Sequence, residues 1–267
     1  MQTESPETSL LSIIALISFF IFLIIQKFSD KILDGVLLDD DFNKPQAFHS
    51  QLISRSGGLA SIISFTFFMF LYNIMFSKFH LDYLLLGISL FFIGFIDDLK
   101  VNISAKMRLS LMIIFLTIFI FSFSIKIFDV DLRFLENWFE NNLFSTIFIL
   151  LCFLFIINGS NLIDGFNGLL ALHLIIVNSI LFYLNMINGN NDLSILIVSQ
   201  VIILLIFLVF NFPNAKIFFG DSGSYLFGSF TALNTIKTNN VNPEISSFFF
   251  CILLFYLFFE VFFSFFR

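Results

Sequence analysis

The sequence has very few charged residues. Only 12% of its 267 residues are Asp, Glu, Lys or Arg, about half of the share found in an average soluble domain. The 13 basic residues form no basic stripe, which argues against nucleic acid as a partner. The two cysteines, Cys152 and Cys251, lie in apolar runs without Cys-x-x-Cys or Cys/His spacing. We therefore interpret them as packing residues rather than as a disulfide or a metal pair.

The sequence is instead rich in long apolar stretches. Hydrophobic residues make up 58% of the chain, and the mean hydropathy is +0.99. Apolar stretches of about 18 residues or more indicate membrane helices, because lipid forces backbone groups to pair within the segment. Runs such as IILLIFLVF at 202–210 lack the alternation of barrel strands. The sequence therefore predicts an all-α polytopic membrane protein, with residues 1–267 forming a single domain.

We predict nine membrane segments. The first apolar run counts as a retained helix, since MQTESPETS lacks the basic region of a signal peptide. The segments lie at about residues 10–27, 58–76, 82–96, 109–124, 143–158, 168–188, 193–211, 223–236 and 246–265. With the N-terminus outside, nine of the 13 basic residues fall in or next to the cytoplasmic connections. The positive-inside rule favours this orientation.

Three acid-bearing motifs then lie on the cytoplasmic side, where they can form one site. GFIDDLK at 94–100 carries Asp97 and Asp98 at the end of a helix. Neighbouring helical residues point about 100° apart, so the two carboxylates need not share a role. Such a pair suits a metal ion, a proton acceptor or both. The alternative is a helix end that meets water, with Lys100 completing a solvated cluster.

The second motif is NGSNLIDGFNGLL at 158–170. Asn158, Asn161 and Asp164 are spaced three residues apart and share roughly one helical side. The asparagine amides both donate and accept, so they can hold a sugar, a base edge or a phosphate. The alternative is a helix cap and turn, for which Asn, Asp and Gly are the preferred residues.

The third motif, FFGDSGS at 218–224, combines glycines with Asp221 and two serines. Ser222 or Ser224 could cap the next helix, whose N-terminus attracts phosphate. Asp221 needs a cation to lie near phosphates, and Mg²⁺ is held by one or two carboxylates together with substrate phosphates. A capped helix start without a ligand is the alternative.

A fourth stretch, DFNKPQAFHSQLISRSGG at 41–58, contains Lys44, His49 and Arg55. These side chains can meet a phosphate or a lipid head group. A solvated loop is the alternative. Each of the four stretches alone is weak evidence for a function, whereas their order on one membrane face is specific.

Together the four stretches resemble the polyprenyl-phosphate N-acetylhexosamine-1-phosphate transferases. The likeness rests on GFIDDLK, NGSNLIDGFNGL, FNFPNAKIFFGDSGS and the KPQ, FH and RSGG of the first loop, and covers about residues 41–267. It implies that a UDP-linked N-acetylated sugar gives its sugar-1-phosphate to polyprenyl phosphate, with release of UMP. The product would start a lipid-linked cell-envelope glycan at the cytoplasmic face of a bacterial inner membrane. Mg²⁺ would be required, with Mn²⁺ as a substitute, and a homodimer stays open.

The resemblance also implies roles for residues of this chain. Asp221 would be the principal metal ligand, with Asn161 beside it. Asp97, Asp98 and Asp164 would be the catalytic acids, the first two acting on the acceptor phosphate. The substrate-binding residues would be Lys44, His49, Arg55, Lys106, Asn158, Asn161, Asn167, Asn211 and Phe218, the last stacking on uracil.

Two departures from the family pattern affect this expectation. Asn167 stands where many members have a second aspartate, and the family continues with a histidine-rich loop that this sequence does not contain. The chain is therefore expected to be a fragment, or a truncated paralogue that only binds substrates. A secondary transporter is a further alternative, but the acids cluster at one face and no inverted repeat is present.

Overall fold

The computed structural model describes residues 5–39, 52–101, 103–128 and 130–266. Within them the chain forms α-helices and one pair of two-residue antiparallel strands, β1 (Leu38–Asp39) and β2 (Ile53–Ser54). The all-α prediction is confirmed. The helices are α1 Pro6–Lys27, α2 Gly57–Phe76, α3 Leu81–Asp98, α4 Ala105–Ser122, α5 Arg133–Phe139, α6 Asn142–Ile163, α7 Leu169–Ile187, α8 Asn191–Asn211, α9 Gly220–Val241, α10 Ser247–Leu253 and α11 Phe255–Ser264.

Each of the nine predicted segments overlaps a helix, but the number of spans is smaller among the described residues. Six helices are long and apolar enough to cross a membrane, and α10 and α11, bent by 60°, raise the number to seven if they form one span. Helix α3 is not among them, since it carries Asp82, Asp97 and Asp98. Helix α9 is rich in Ser, Thr and Asn. The predicted number of nine spans is therefore not confirmed.

The polar helix α9 lies in the centre of the bundle, packed against α2, α3, α6 and α7. Its polar side chains find partners on neighbouring helices, as lipid requires. Asn178 of α7 donates to Thr231 of α9, and Asn185 donates to Thr238. The second pair lies seven residues after the first on both helices. Asn234 of α9 donates back to Asn178. These bonds fix α9 along its length and so fix the position of its first turn.

The two ends of the bundle carry different chemistry. One end is held by two ion pairs: Lys78, in the connection after α2, pairs with Asp192 of α8, and Lys237 of α9 pairs with Asp82 of α3. The other end gathers the last residues of α3 and α6 and the first turn of α9. The structure thus places the three acidic motifs at one end of the bundle. That this end faces the cytoplasm stays a prediction.

Candidate functional site

The first turn of α9 is joined to the start of α2 by backbone hydrogen bonds. The N–H groups of Gly57 and Gly58 donate to the carbonyl oxygens of Phe218 and Phe219, both at 2.9 Å. The N–H of Phe218 donates to the carbonyl of Ser54 at 2.8 Å. The segment before Asp221 therefore runs beside β2 as a third short extended piece.

Two glycines let the neighbouring helices approach this turn. A Cβ on Gly94 of α3 would lie 2.5 Å from the carbonyl carbon and oxygen of Asp221. A Cβ on Gly58 of α2 would lie 2.3 Å from the Oγ of Ser222. Both distances are shorter than any ordinary van der Waals contact. The glycines of GFIDDLK and RSGG thus hold the backbone of the FFGDSGS motif between two helices.

Asp98 caps helix α9 from the end of α3. Its two carboxylate oxygens accept hydrogen bonds from the backbone N–H groups of Asp221 and Ser222, both at 3.0 Å, and its side chain is buried. A carboxylate at a helix N-terminus satisfies orphan donors and meets the positive end of the helix dipole. The predicted cap by Ser222 or Ser224 is wrong, because α9 already begins at Gly220 and both serines lie inside the helix.

Asp97 and Asp221 are joined by Arg108, an arginine near the start of α4. One nitrogen of Arg108, Nη1, lies 2.6 Å from the Oδ2 of Asp97 and 2.6 Å from the Oδ2 of Asp221. The hydroxyl of Tyr225, one turn along α9, donates to the same Asp221 oxygen at 3.3 Å. The three charged side chains each keep between a fifth and a third of their surface exposed. We call Asp97, Arg108 and Asp221 the carboxylate–arginine cluster.

The cluster is suited to a divalent cation of the Mg²⁺ type. Its donors are hard carboxylate oxygens, and the guanidinium nitrogen between them already marks a position that attracts positive charge. Among the residues that the structure describes, no three His, Cys, Asp or Glu side chains are grouped as a metal site. The cluster therefore fits a cation held by two carboxylates and by substrate phosphates, and does not fit an all-protein cage.

The asparagine-rich motif forms the end of α6 and the turn after it. Asp164 follows the last residue of α6, and its side chain is half-buried. Burial raises the pKa of Asp164 well above its usual range; the negative charges of Asp221 and Asp98 raise it further, and Arg55 lowers it. These charges act on Asp164 because the end of α6 and the start of α9 lie at the same end of the bundle. A Cβ on Gly165, the next residue, would meet no atom within 4 Å.

Other predicted residues have contacts within the protein. Asn158 donates to the carbonyl of Leu154 within α6, and Asn161 is half-buried beside Asp164. Arg55 pairs with Asp39 of β1, using Nε and Nη2 on the same carboxylate oxygen.

Four other predicted residues have no substrate contact to test. Lys106 is exposed at the start of α4, and Phe218 is half-buried. Lys44 and His49 lie outside the described residues. The substrate contacts that the sequence suggested for these side chains stay predictions.

Asn211 and Asn167 join two loops at this end of the bundle. The Oδ1 of Asn211 accepts from the N–H of Gly168 at 2.6 Å, and its Nδ2 donates to the carbonyl of Ile217 at 2.8 Å. Asn167 donates to the carbonyl of Pro213 at 3.0 Å. The amide of Asn211 is buried and used on both sides, so the geometry favours a positioning role over contact with a nucleotide.

Replacing Asn211 with alanine is expected to destabilise the protein. The change leaves the N–H of Gly168 and the carbonyl of Ile217 without their side-chain partner, and each such buried group costs about 1–3 kcal/mol. We expect the free energy of unfolding in mixed micelles to fall by about 2–6 kcal/mol. The exposed Asn214 in the same loop provides the control. Equal stability of Asn211→Ala and Asn214→Ala would show that the two hydrogen bonds of the Asn211 side chain do not stabilise this end of the bundle.

Sequence reasoning missed Arg108 and Tyr225. By sequence, Arg108 is only one of the nine basic residues in or next to the predicted cytoplasmic connections. The sequence does carry a signal for Arg108. It lies at the start of an apolar helix that follows the aspartate pair, and a charged residue at such a position needs a partner. Tyr225 follows Asp221 by one helical turn, a spacing that brings side chains together.

The chain is similar to several bacterial transferases. It is 25% identical over 222 residues to the undecaprenyl-phosphate alpha-N-acetylglucosaminyl 1-phosphate transferase of Thermotoga maritima, covering 83% of this chain and 63% of the relative. It is 32% identical over 188 residues to a phospho-N-acetylmuramoyl-pentapeptide-transferase of Helicobacter pylori, covering 59% and 53%. A protein of that name from Clostridium perfringens is 29% identical over 150 residues, covering 53% and 47%. The chain thus spans about half to two thirds of the length of these relatives.

A family model gives the assignment. The model of glycosyl transferase family 4 matches residues 80–239, which is more than half of the chain and includes all three acidic motifs. The predicted family is confirmed by this match together with the relatives. This polytopic helical membrane protein belongs to glycosyl transferase family 4.

Proposed function

We propose that the protein transfers an N-acetylhexosamine-1-phosphate from a UDP-sugar to a polyprenyl phosphate and releases UMP. The observation that carries the proposal is the carboxylate–arginine cluster, which joins two of the family motifs through Arg108 at one end of the bundle. A site at the end of membrane helices can meet a lipid phosphate from the bilayer and a nucleotide from water. Similarity to sugar-1-phosphate transferases supports the same reaction.

The reaction forms one bond and breaks one. An oxygen of the lipid phosphate attacks the β-phosphorus of the UDP-sugar, and the bond from that phosphorus to the bridging oxygen breaks. The bridging oxygen leaves on UMP, and a lipid-linked sugar diphosphate remains. Both substrates are anions, so the site must offset their mutual repulsion.

Residues of this chain can supply that compensation. Arg108 is the cationic side chain of the cluster and is placed to meet a phosphate. Asp97 and Asp221 would hold Mg²⁺, which when bound stabilises charge on the phosphate oxygens as a Lewis acid. Asp98 holds the backbone of Asp221 in place through the α9 cap. Asp164 and Asn161 border the open space at Gly165, where we place the sugar part of the donor.

A transfer assay with the purified chain in lipid nanodiscs tests the proposal. UDP-N-acetylglucosamine, UDP-N-acetylgalactosamine and UDP-N-acetylmuramoyl-pentapeptide are offered separately, with and without undecaprenyl phosphate and Mg²⁺. We expect UMP release from one donor, dependent on both lipid and cation. Release of UDP instead of UMP, or release that does not depend on lipid, would contradict the proposed reaction.

Replacing Asp98 with asparagine is expected to reduce the transfer rate by about 100-fold, an order typical of lost electrostatic preorganisation. The amide has one acceptor oxygen, so either the N–H of Asp221 or that of Ser222 loses its partner, and the helix start loses a negative charge. The rate of UMP release checks this. Asp34→Asn, at an exposed aspartate of the segment after α1, is the matched control. An unchanged rate in Asp98→Asn would show that the cap does not position Asp221.

A further inference from the structure

Arg108 contacts its two carboxylates in an unusual way. Arginine commonly uses two nitrogens on one partner, as Arg55 does with Nε and Nη2 on Asp39. Arg108 instead places the single nitrogen Nη1 between an oxygen of Asp97 and an oxygen of Asp221, with equal distances of 2.6 Å. The guanidinium therefore bridges the pair as a point charge would.

The position of this nitrogen is the position that a bridging cation needs. The two carboxylate oxygens lie no farther apart than about 5 Å, since both are 2.6 Å from Nη1. A Mg²⁺ ion binds oxygen ligands at about 2.0–2.1 Å, so Asp97 and Asp221 would hold it through these two oxygens once they lie within about 4 Å of each other. A cation and the nitrogen of Arg108 cannot occupy that volume together.

We propose that Arg108 is a tethered cation that competes with the divalent metal ion for the Asp97–Asp221 pair. When the metal ion binds, the guanidinium leaves the pair and turns to the phosphates of the substrates. This inference rests on the proposed function, because it assumes a metal-dependent phosphoryl transfer at the cluster. It adds a role for Arg108 as both placeholder and phosphate ligand.

The surroundings allow the side chain to move while the helix stays in place. Ser104 caps α4, since its Oγ accepts from the N–H of Met107 at 3.3 Å, which fixes the backbone of the first turn. The Arg108 side chain keeps 23% of its surface exposed, so it has a path toward water. The hydroxyl of Tyr225 also donates to the Asp221 oxygen that Arg108 contacts, so Asp221 has a second partner besides the arginine.

Lys106 offers a matched control for the charge of Arg108. It lies two residues earlier on the same helix and is exposed, whereas Arg108 contacts both carboxylates of the cluster. Removing its charge changes the net charge of this end of the bundle by the same amount. A difference between the two positions therefore reports direct competition rather than the general field of the protein.

Binding of Mn²⁺ to the detergent-solubilised chain, without substrate, tests the inference. Free Mn²⁺ is measured by electron paramagnetic resonance during titration of the wild type, Arg108→Gln, Lys106→Gln and Asp221→Asn. We expect Arg108→Gln to bind Mn²⁺ about tenfold more tightly than the wild type, the size of a typical coupling between two ligands. Lys106→Gln is expected to stay within about twofold of the wild type, and Asp221→Asn to lose binding.

A second measurement covers the case in which Arg108→Gln folds poorly without metal. The variant is then purified with Mg²⁺, and its melting temperature is followed as the cation is removed. We expect this temperature to depend on the cation more steeply than that of the wild type, because two unneutralised carboxylates repel each other. A dependence equal to that of the wild type would overturn the inference.

Other outcomes also overturn it. Weaker or unchanged Mn²⁺ binding by Arg108→Gln would mean that the arginine does not compete. An equal gain in Lys106→Gln would assign the effect to net charge. If no form of the chain binds Mn²⁺, Arg108 has nothing to compete with. The proposed function is judged separately by lipid-dependent UMP release from the wild type, which none of these binding results measures.

Discussion

Asp221→Asn is expected to reduce the rate of sugar-1-phosphate transfer by at least about 1,000-fold. The reason is the loss of several kcal/mol of charge stabilisation at the transferred phosphoryl group. The amide keeps the shape of the side chain but removes the charge that Arg108 and Tyr225 contact and that a metal ion would need. The backbone of residue 221 should stay capped by Asp98, because the cap uses its N–H and not its side chain.

The measurement is the initial rate of UMP release at saturating UDP-sugar and Mg²⁺, with membrane insertion and melting temperature determined in parallel. Asp192→Asn provides the same substitution at the opposite end of the bundle, where Asp192 pairs with Lys78. We expect that variant to keep its rate within severalfold. Asp221→Asn with more than a tenth of the wild-type rate would contradict a central role of this carboxylate.

Gly94→Ala is expected to slow transfer strongly, even though alanine favours helix formation more than glycine does by about 1 kcal/mol. The added Cβ would lie 2.5 Å from the carbonyl group of Asp221, and this obstacle is backbone that cannot rotate away. Helices α3 and α9 must separate, which moves Asp221 away from Asp97 and from the cap. We expect a loss of at least about 100-fold in rate, because misplacement by about 1 Å costs that much.

Gly87→Ala is the matched control on the same helix. Its Cβ would lie 2.7 Å from the Cζ of Phe230, so the obstacle there is the end of a side chain and not the backbone that carries Asp221. Both variants should melt at lower temperature than the wild type, but only Gly94→Ala should lose transfer. If the two variants lose activity in parallel with stability, the close approach at Gly94 matters for packing alone.

The fold class and the family could be predicted from the sequence because their signals are local. Apolar length indicates membrane helices without any knowledge of packing, and the strings around Asp97, Asn161 and Asp221 are contiguous. The number of spans could not be predicted equally well. Helix α9 lies in the centre of the bundle because its amides and hydroxyls pair with α7, and these pairings join residues more than 50 positions apart.

The separate roles of Asp97 and Asp98 were only partly foreseeable. The helical angle between neighbours predicted that the carboxylates need not act together, and the structure directs Asp97 to Arg108 and Asp98 to the start of α9. Which carboxylate takes which partner depends on how α3 and α9 cross at Gly94. Arg108 could not be separated from Lys106 by sequence, since both are basic residues in the first turn of α4.

The most direct test of the account follows the phosphorus atom itself. The chain is incubated in nanodiscs with Mg²⁺, undecaprenyl phosphate and UDP-N-acetylglucosamine that carries radioactive phosphorus only in its β-phosphate. We expect the label to appear in the lipid fraction together with the sugar, while the released UMP is unlabelled. Label that leaves as UDP while the sugar enters the lipid would show transfer of the sugar alone, and would contradict sugar-1-phosphate transfer at the carboxylate–arginine cluster.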